Sequence, residues 1–132
     1  MPRLLIPVET APGETRIAAT PDTVKKFLSL GCSVSVECGA GTASGYLDQS
    51  FQDQGADLVP AADPGAWADA DLVLCVQAPA PEALSRMKSG ALLVGLLSPY
   101  SNASLTTSLA AGHLSAMALE LLPRISRAQS AD

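Results

Sequence analysis

Aromatic residues are scarce in this chain: two Phe, two Tyr and one Trp, 4% of 132 residues. Its core must therefore be aliphatic, drawn from Leu, Val, Ile and Ala within an apolar content of 48%. Basic residues are few, eight Lys and Arg against thirteen Asp and Glu, and they form no run. At a net charge of −5 the chain lacks the electrostatic footprint of a nucleic-acid binder. His113 is the single histidine, and no closely spaced ligand set accompanies it, so no metal is expected. No apolar stretch reaches membrane-spanning length, and the run at residues 4–8 is too short for a signal peptide. A cytosolic setting is expected. Cys32, Cys38 and Cys75, odd in number and in or beside apolar segments, read as buried thiols in a reducing compartment.

The length suits one domain, long enough to bury roughly two-thirds of its unfolded surface. Apolar runs predict strands over residues 4–8, 58–59, 72–76, 92–96 and 114–118, the last reaching toward Leu119, and alternation predicts one over 33–37. Between them lie helix signals. Thr20 is an N-cap followed by Pro21, and a helix over 21–30 stops at Gly31. Further helices are expected over 48–55, capped by Asp48 and ended by Gly55; over 63–68 around Trp67; over 81–87; and over 103–111, capped by Asn102 and ended by Gly112. Strands and helices alternating at this spacing predict an α/β fold of three layers, with a mainly parallel sheet covered on both faces. One domain over residues 1–132 is expected.

Three constellations could carry chemistry. Gly39-Ala40-Gly41-Thr42-Ala43-Ser44-Gly45 imitates a dinucleotide fingerprint, but Gly45 falls four positions after Gly41 and Tyr46-Leu47 delay the next helix. A tight strand-to-helix turn is the plainer reading. The loop from Glu9 to Arg16 follows the first strand, where open α/β sheets bind ligands. Arg16 could clamp a substrate carboxylate there, or pair with Glu9 or Glu14 and order the loop. The segment from Pro123 to Asp132 gathers Arg124, Arg127, Gln129 and Asp132, donors and acceptors that suit a nicotinamide carboxamide and equally suit a solvated chain end. His113, beside Gly112, reads as a helix C-terminal charge partner; Asp69 and Asp71 read as a solvated turn and Trp67 as a packing residue.

Four segments in order resemble the alanine dehydrogenase and transhydrogenase N-terminal domain: LLIPVETAPGETRIAATPDTVKKFLSLG, VECGAGTASGYLDQSFQDQGADLV, ADLVLCVQAPAPEALSRMKSGALLVGLLSPYSN and AMALELLPRISRAQSAD. The last resembles the transhydrogenase signature P-R-I-S-R-A-Q-S-M-D. Alanine dehydrogenases carry a lysine and a histidine for pyruvate where this chain has Gln77 and Ser98-Pro99-Tyr100. The resemblance therefore implies the NAD-binding alpha subunit of a proton-translocating NAD(P) transhydrogenase. It implies a Rossmann-like or flavodoxin-like domain. Arg124 and Asp132 would be a catalytic pair at the nicotinamide ring, and Gln129 would bind the ring with them. NAD(H) would be held mainly by a separate Rossmann domain, and NADP(H) by a further domain.

The same resemblance implies as partners that Rossmann domain, the NADP-binding domain and the membrane domain, a dimer of the full subunit, and a cytoplasmic place peripheral to the inner membrane. Two departures stand out. Ala131 takes the place of the signature's methionine, and the sequence carries no true dinucleotide-binding domain, as expected of a fragment, a truncated product or half of a split subunit. The isolated chain is expected to be inactive. Alternatives are part of an amino-acid dehydrogenase, binding pyruvate or alanine through Arg16, and a non-catalytic module that docks a partner subunit.

Overall fold

The computed structural model describes residues 2–10, 13–97 and 103–118, the side chains of 103 and 104 excepted. Strand β1 (Arg3–Ile6) is followed by α1 (Pro21–Ser29), β2 (Ser33–Glu37), α2 (Asp48–Asp53), β3 (Asp57–Val59) and α3 (Pro64–Asp69). Then come β4 (Leu72–Gln77), α4 (Pro81–Leu84), β5 (Leu92–Leu96), α5 (Ala103–Ala111) and β6 (Ser115–Ala118). Among the described residues six strands form one sheet in the order β3-β2-β1-β4-β5-β6, every neighbouring pair parallel. The expected three-layer α/β fold is present, and all its strand pairing is parallel.

Side-chain alternation along the strands separates two cores. Leu4, Ile6, Val34 and Val36 face α1 and α2 and pack with Val24 and Phe51. Leu5, Val73, Cys75 and Leu93 face α3, α4 and α5, among Trp67, Leu84, Met87 and Leu105. Close packing between β4 and β5 requires Gly95, since a Cβ there would meet the Cys75 carbonyl oxygen at 2.5 Å. The Cys75 thiol donates to the Val94 carbonyl at 3.3 Å.

Several element ends differ from expectation, each for a local reason. β1 stops at Ile6 because Pro7 has no N–H and the Val8 N–H turns to the Glu37 carboxylate at 2.8 Å. Asp48 is not the cap of α2: Leu47 holds that position, and Asp48 accepts from the Gly39 N–H at 2.9 Å. α5 ends at Ala111 as expected, but the left-handed residue beyond it is His113, at φ 53, and not Gly112. The His113 carbonyl accepts from the Gly90 N–H at 2.9 Å, and its exposed side chain has no ion pair among the described residues. Thr20 does cap α1, accepting from the Thr23 N–H at 3.2 Å, and Asp63 caps α3.

The cysteines depart from the uniform burial expected of them. Cys75 is buried, Cys32 half-buried and Cys38 exposed. Cys38 lies one residue past β2, where the strand has left the apolar layer. Asp69 and Asp71 do lie at the surface, but both are ordered. Asp71 accepts from the Arg3 N–H at 2.7 Å and pairs with Lys88, while Asp69 lies 3.5 Å from the Arg3 guanidinium.

Candidate functional site

β1 and β4 lie side by side, and the chain leaves them toward opposite edges of the sheet: β1 leads to β2, and β4 leads to β5. This is the topological switch, and the crevice beyond its carboxyl ends is where such sheets bind ligands. A cavity of about 320 Å³ opens there, lined by Val8, Glu9, Glu37, Trp67, Cys75 and Gln77 among others. Three carboxylates organise the edge.

Glu37 ends β2 and is only 3% exposed. It accepts from the Val8 N–H at 2.8 Å, the Ala62 N–H at 2.7 Å and the Trp67 indole N–H at 3.0 Å. One buried acid thus joins the β1 loop, the turn after β3 and helix α3, and its lone pairs are satisfied as burial requires. Trp67 packs as expected, 3% exposed, and also serves as a donor.

Glu9 replaces a missing stretch of ladder. β1 pairs with β4 only through Leu4–Leu72 and Leu5–Val73, and β4 has an irregular register against β5 between Leu74 and Gln77. The N–H groups of Val76 and Gln77 then donate to the two Glu9 oxygens, at 2.8 and 2.9 Å. Burial pushes the Glu9 carboxyl above the usual carboxylate range, with Glu14 acting in the same direction and the two N–H bonds opposing it. Burial, with a smaller contribution from Glu9, pushes the Cys75 thiol up to about 12, so it is no nucleophile at neutral pH.

Glu14 closes the network. The Arg16 guanidinium grips it through two parallel bonds, Nε at 2.9 Å and a terminal nitrogen at 2.8 Å, while the Arg16 N–H and the Gln77 amide donate at 3.0 and 2.9 Å. These bonds, Arg16 first, hold the Glu14 carboxyl well below the usual range. Of the two roles open to Arg16 in the sequence, the structure has it paired with Glu14.

The glycine turn is built for packing. Residues Thr42–Ser44 form a single 3-10 turn, and Tyr46 and Leu47 separate it from α2. A Cβ on Gly41 would lie 2.8 Å from both Phe51 and Tyr46. Ser44 donates to the Thr15 carbonyl, so the turn buttresses the loop carrying Glu14 and Arg16. At the switch itself, Glu9 and Glu14 present carboxylates where a diphosphate would need donors, so the described residues do not fit a dinucleotide on this edge. Arg124, Gln129 and Asp132, and the Ser98-Pro99-Tyr100 segment, lie outside the described residues. Among the described residues no group of His, Cys, Asp and Glu is placed to hold a metal, and no helix is long and apolar enough to cross a membrane.

Sequence reasoning missed Glu37 and the part Glu9 plays with β4. Alternation along S-V-S-V-E puts Glu37 on the face of Ser33 and Ser35, opposite Val34 and Val36, so nothing in the strand pattern marked its burial. Nothing local in the sequence points Glu9 at Val76 and Gln77, because that contact crosses the sheet.

A fully parallel sheet in this order, with polar loops gathered at its carboxyl edge, defines a Rossmann-like α/β domain. The chain belongs to the alanine dehydrogenase/PNT N-terminal domain family, whose model matches residues 5–132. It is similar to the NAD(P) transhydrogenase subunit alpha of Haemophilus influenzae, 39% identical over 127 residues, 96% of this chain and 24% of that protein. An alanine dehydrogenase of Mycobacterium tuberculosis is 40% identical over 95 residues, 72% of this chain and 25% of that protein. Among solved structures, a transhydrogenase from Sinorhizobium meliloti superposes with a TM-score of 0.90 at 39% identity, covering 97% of this chain and 38% of that one. The chain thus spans well under half the length of each of these relatives.

Proposed function

We propose that this chain is the N-terminal domain of the NAD-binding alpha subunit of a proton-translocating NAD(P) transhydrogenase. In this reading a hydride passes between the nicotinamide rings of NAD(H) and NADP(H), coupled to proton movement through a membrane domain. The ring supplies the redox chemistry, and the protein supplies alignment and electrostatics. Arg124 and Asp132 form a charged pair beside the ring of NAD(H), and Gln129 positions its carboxamide. NAD(H) itself is held mainly by a Rossmann domain in the same subunit and NADP(H) by a partner domain. The assembled subunit is a dimer, cytoplasmic and peripheral to the inner membrane through its partners.

The observation that carries the reading, beside the family, is the bonding of Gln77. A lysine at this place would mark the amino-acid dehydrogenases; here a neutral amide donates to Glu14 at 2.9 Å, and its own N–H donates to Glu9. The carboxylates at the switch also favour a cofactor whose diphosphate is held elsewhere.

Calorimetry on the 132-residue chain should find NADH binding no tighter than millimolar, since only a few hydrogen bonds of about 0.5–1.5 kcal/mol each remain to it. With a Rossmann domain and an NADP-binding domain supplied in trans, hydride transfer followed by stopped flow should appear. Arg124→Ala and Asp132→Asn should then lower the transfer rate far more than the NADH affinity. Sub-micromolar NADH binding by the chain alone, or equal losses in rate and affinity, would sink the assignment.

A further inference from the structure

The cavity at the topological switch is walled by small residues in a chain rich in larger aliphatics. Ala62 comes from the turn after β3, and Ala78, Pro79 and Ala83 from the turn after β4 and from α4. Trp67 and Cys75, both buried, line it as well. A cavity of about 150 Å³ is enough for benzene, so this one, at about 320 Å³, has room for two fused rings. Its lip is stiff, because Pro79 and Pro81 fix the backbone on either side of Ala80. Little ordering is then left for a ligand to impose. The donors on the walls are largely spent on the protein itself. The N–H groups of Val8, Ala62 and the Trp67 indole go to Glu37, those of Val76 and Gln77 to Glu9, and the Cys75 thiol to Val94. What remains inside is chiefly acceptor capacity: Glu9 accepts two of these bonds and Glu37 three, of about four that each carboxylate can take. At the mouth stand one acid, Glu82, and one base, Arg86. Arg86 is half-buried and has no ion pair among the described residues, which leaves its planar guanidinium to cover a ring.

We propose that this cavity binds an uncharged, planar aromatic molecule of about indole size that carries one N–H or O–H donor. The rings displace water from Trp67, Cys75 and the alanine wall, the donor meets a carboxylate oxygen of Glu9 or Glu37, and Arg86 lies over the ring face at the mouth. An acid is excluded, since it would lose its water beside two carboxylates. Arg16 does not line the cavity, so the site is separate from the place where that residue could hold an acid. It is also independent of the ring-facing role proposed for residues 124–132, and either can fail without the other.

The test is a titration of the isotope-labelled full chain with indole, followed by magnetic resonance. The Trp67 Nε1 signal and the backbone N–H signals of Ala62 and Ala83 report occupancy, and Gly31, at the opposite edge of the sheet, serves as reference. Indole should shift the three saturably and leave Gly31 in place. Benzoate brings a charge and nicotinamide two acceptors that the walls leave unpaired, so each should bind about tenfold or more weakly than indole. Pyruvate should not displace indole. Ala83→Leu keeps a strong helix former in α4 and fills part of the space, and should weaken indole binding by about tenfold or more. Arg86→Met keeps the aliphatic stem without the guanidinium, and should weaken it about two- to fivefold. If Ala83→Leu does not fold, Arg86→Met decides, because it alters only the mouth. The proposal is overturned by the absence of a saturable shift, by undiminished binding in a folded Ala83→Leu chain, by benzoate or nicotinamide binding as tightly as indole, or by displacement with pyruvate.

Discussion

The two ends of the strands use acidic residues in opposite ways. At the amino ends, Asp69 and Asp71 meet Arg3 and Lys88 in solvent-exposed ion pairs. At the carboxyl ends, Glu9 and Glu37 are drawn inward and take backbone N–H groups that the strand ladder does not pair. An exposed pair exchanges one hydrated state for another, whereas a buried carboxylate surrounded by N–H donors cannot be lost without leaving those donors unsatisfied. The acids at the carboxyl edge are therefore buried joints, whereas those at the amino edge stay in solvent, even Asp71 with its bond from the Arg3 N–H.

The largest effect expected from this contrast is at Glu37. Glu37→Ala leaves the N–H groups of Val8, Ala62 and Trp67 without their acceptor, and should lower unfolding free energy by about 3–5 kcal/mol in a urea melt. A loss under about 1 kcal/mol would break the comparison, because it would make this buried acid no better than a surface pair. Blue or red displacement of the Trp67 emission in a destabilised but folded variant would localise the damage.

Glu9 comes next, and its signature is pH dependence. Its carboxyl is raised above the ordinary value of 4.5, chiefly by burial. Protonation then favours the folded state, so the stability it contributes is full below 4.5 and is lost as pH rises through the folded value. Glu14 is shifted down, so its contribution is present above 4.5 and is lost as pH falls through its folded value. Chemical melts from pH 4 upward should show a falling component that disappears in Glu9→Gln. An unchanged profile in that variant would place the titration elsewhere.

The smallest effect belongs to Lys88→Ala. Its ion pair with Asp71 is exposed on both sides, and Asp71 also has the Arg3 N–H. Its carboxyl is held below the usual range by Lys88 first and by that N–H second, so the variant should show a narrower gain in stability between acid and neutral pH. The thermal midpoint at neutral pH should move by no more than about 2 °C. A shift as large as that of Glu37→Ala would erase the distinction between the two edges.

Much of the fold was legible because it depends on local signals. Apolar runs, and alternation in β2, marked the six described strands, Thr20-Pro21 marked the start of α1, and Gly31 its end. Two of the misplaced ends share a cause, a partner outside the local pattern that took a group the pattern had assigned. Asp48 looked like a cap until Gly39 claimed it, and Val8 looked like strand until Glu37 did. The site was legible only in part. Arg16 and its acidic neighbours stand together in the sequence, but the convergence of Gln77 on Glu14 spans 63 residues, and no spacing rule encodes it. Arg124, Gln129 and Asp132 rest on the resemblance of their motif alone.

The position of β1 at the middle of a parallel sheet also bears on the order of assembly. Leu4 pairs with Val34 on one side and with Leu72 on the other, so no tight hairpin can zip any part of the sheet. β1 acquires its second neighbour only after the chain has passed through three helices and two more strands. Contacts between distant residues raise the entropic barrier to folding, so this domain should fold slowly for its size. Until β4 arrives, β1 has one bare edge, and during folding that edge is open to pairing with a neighbouring chain.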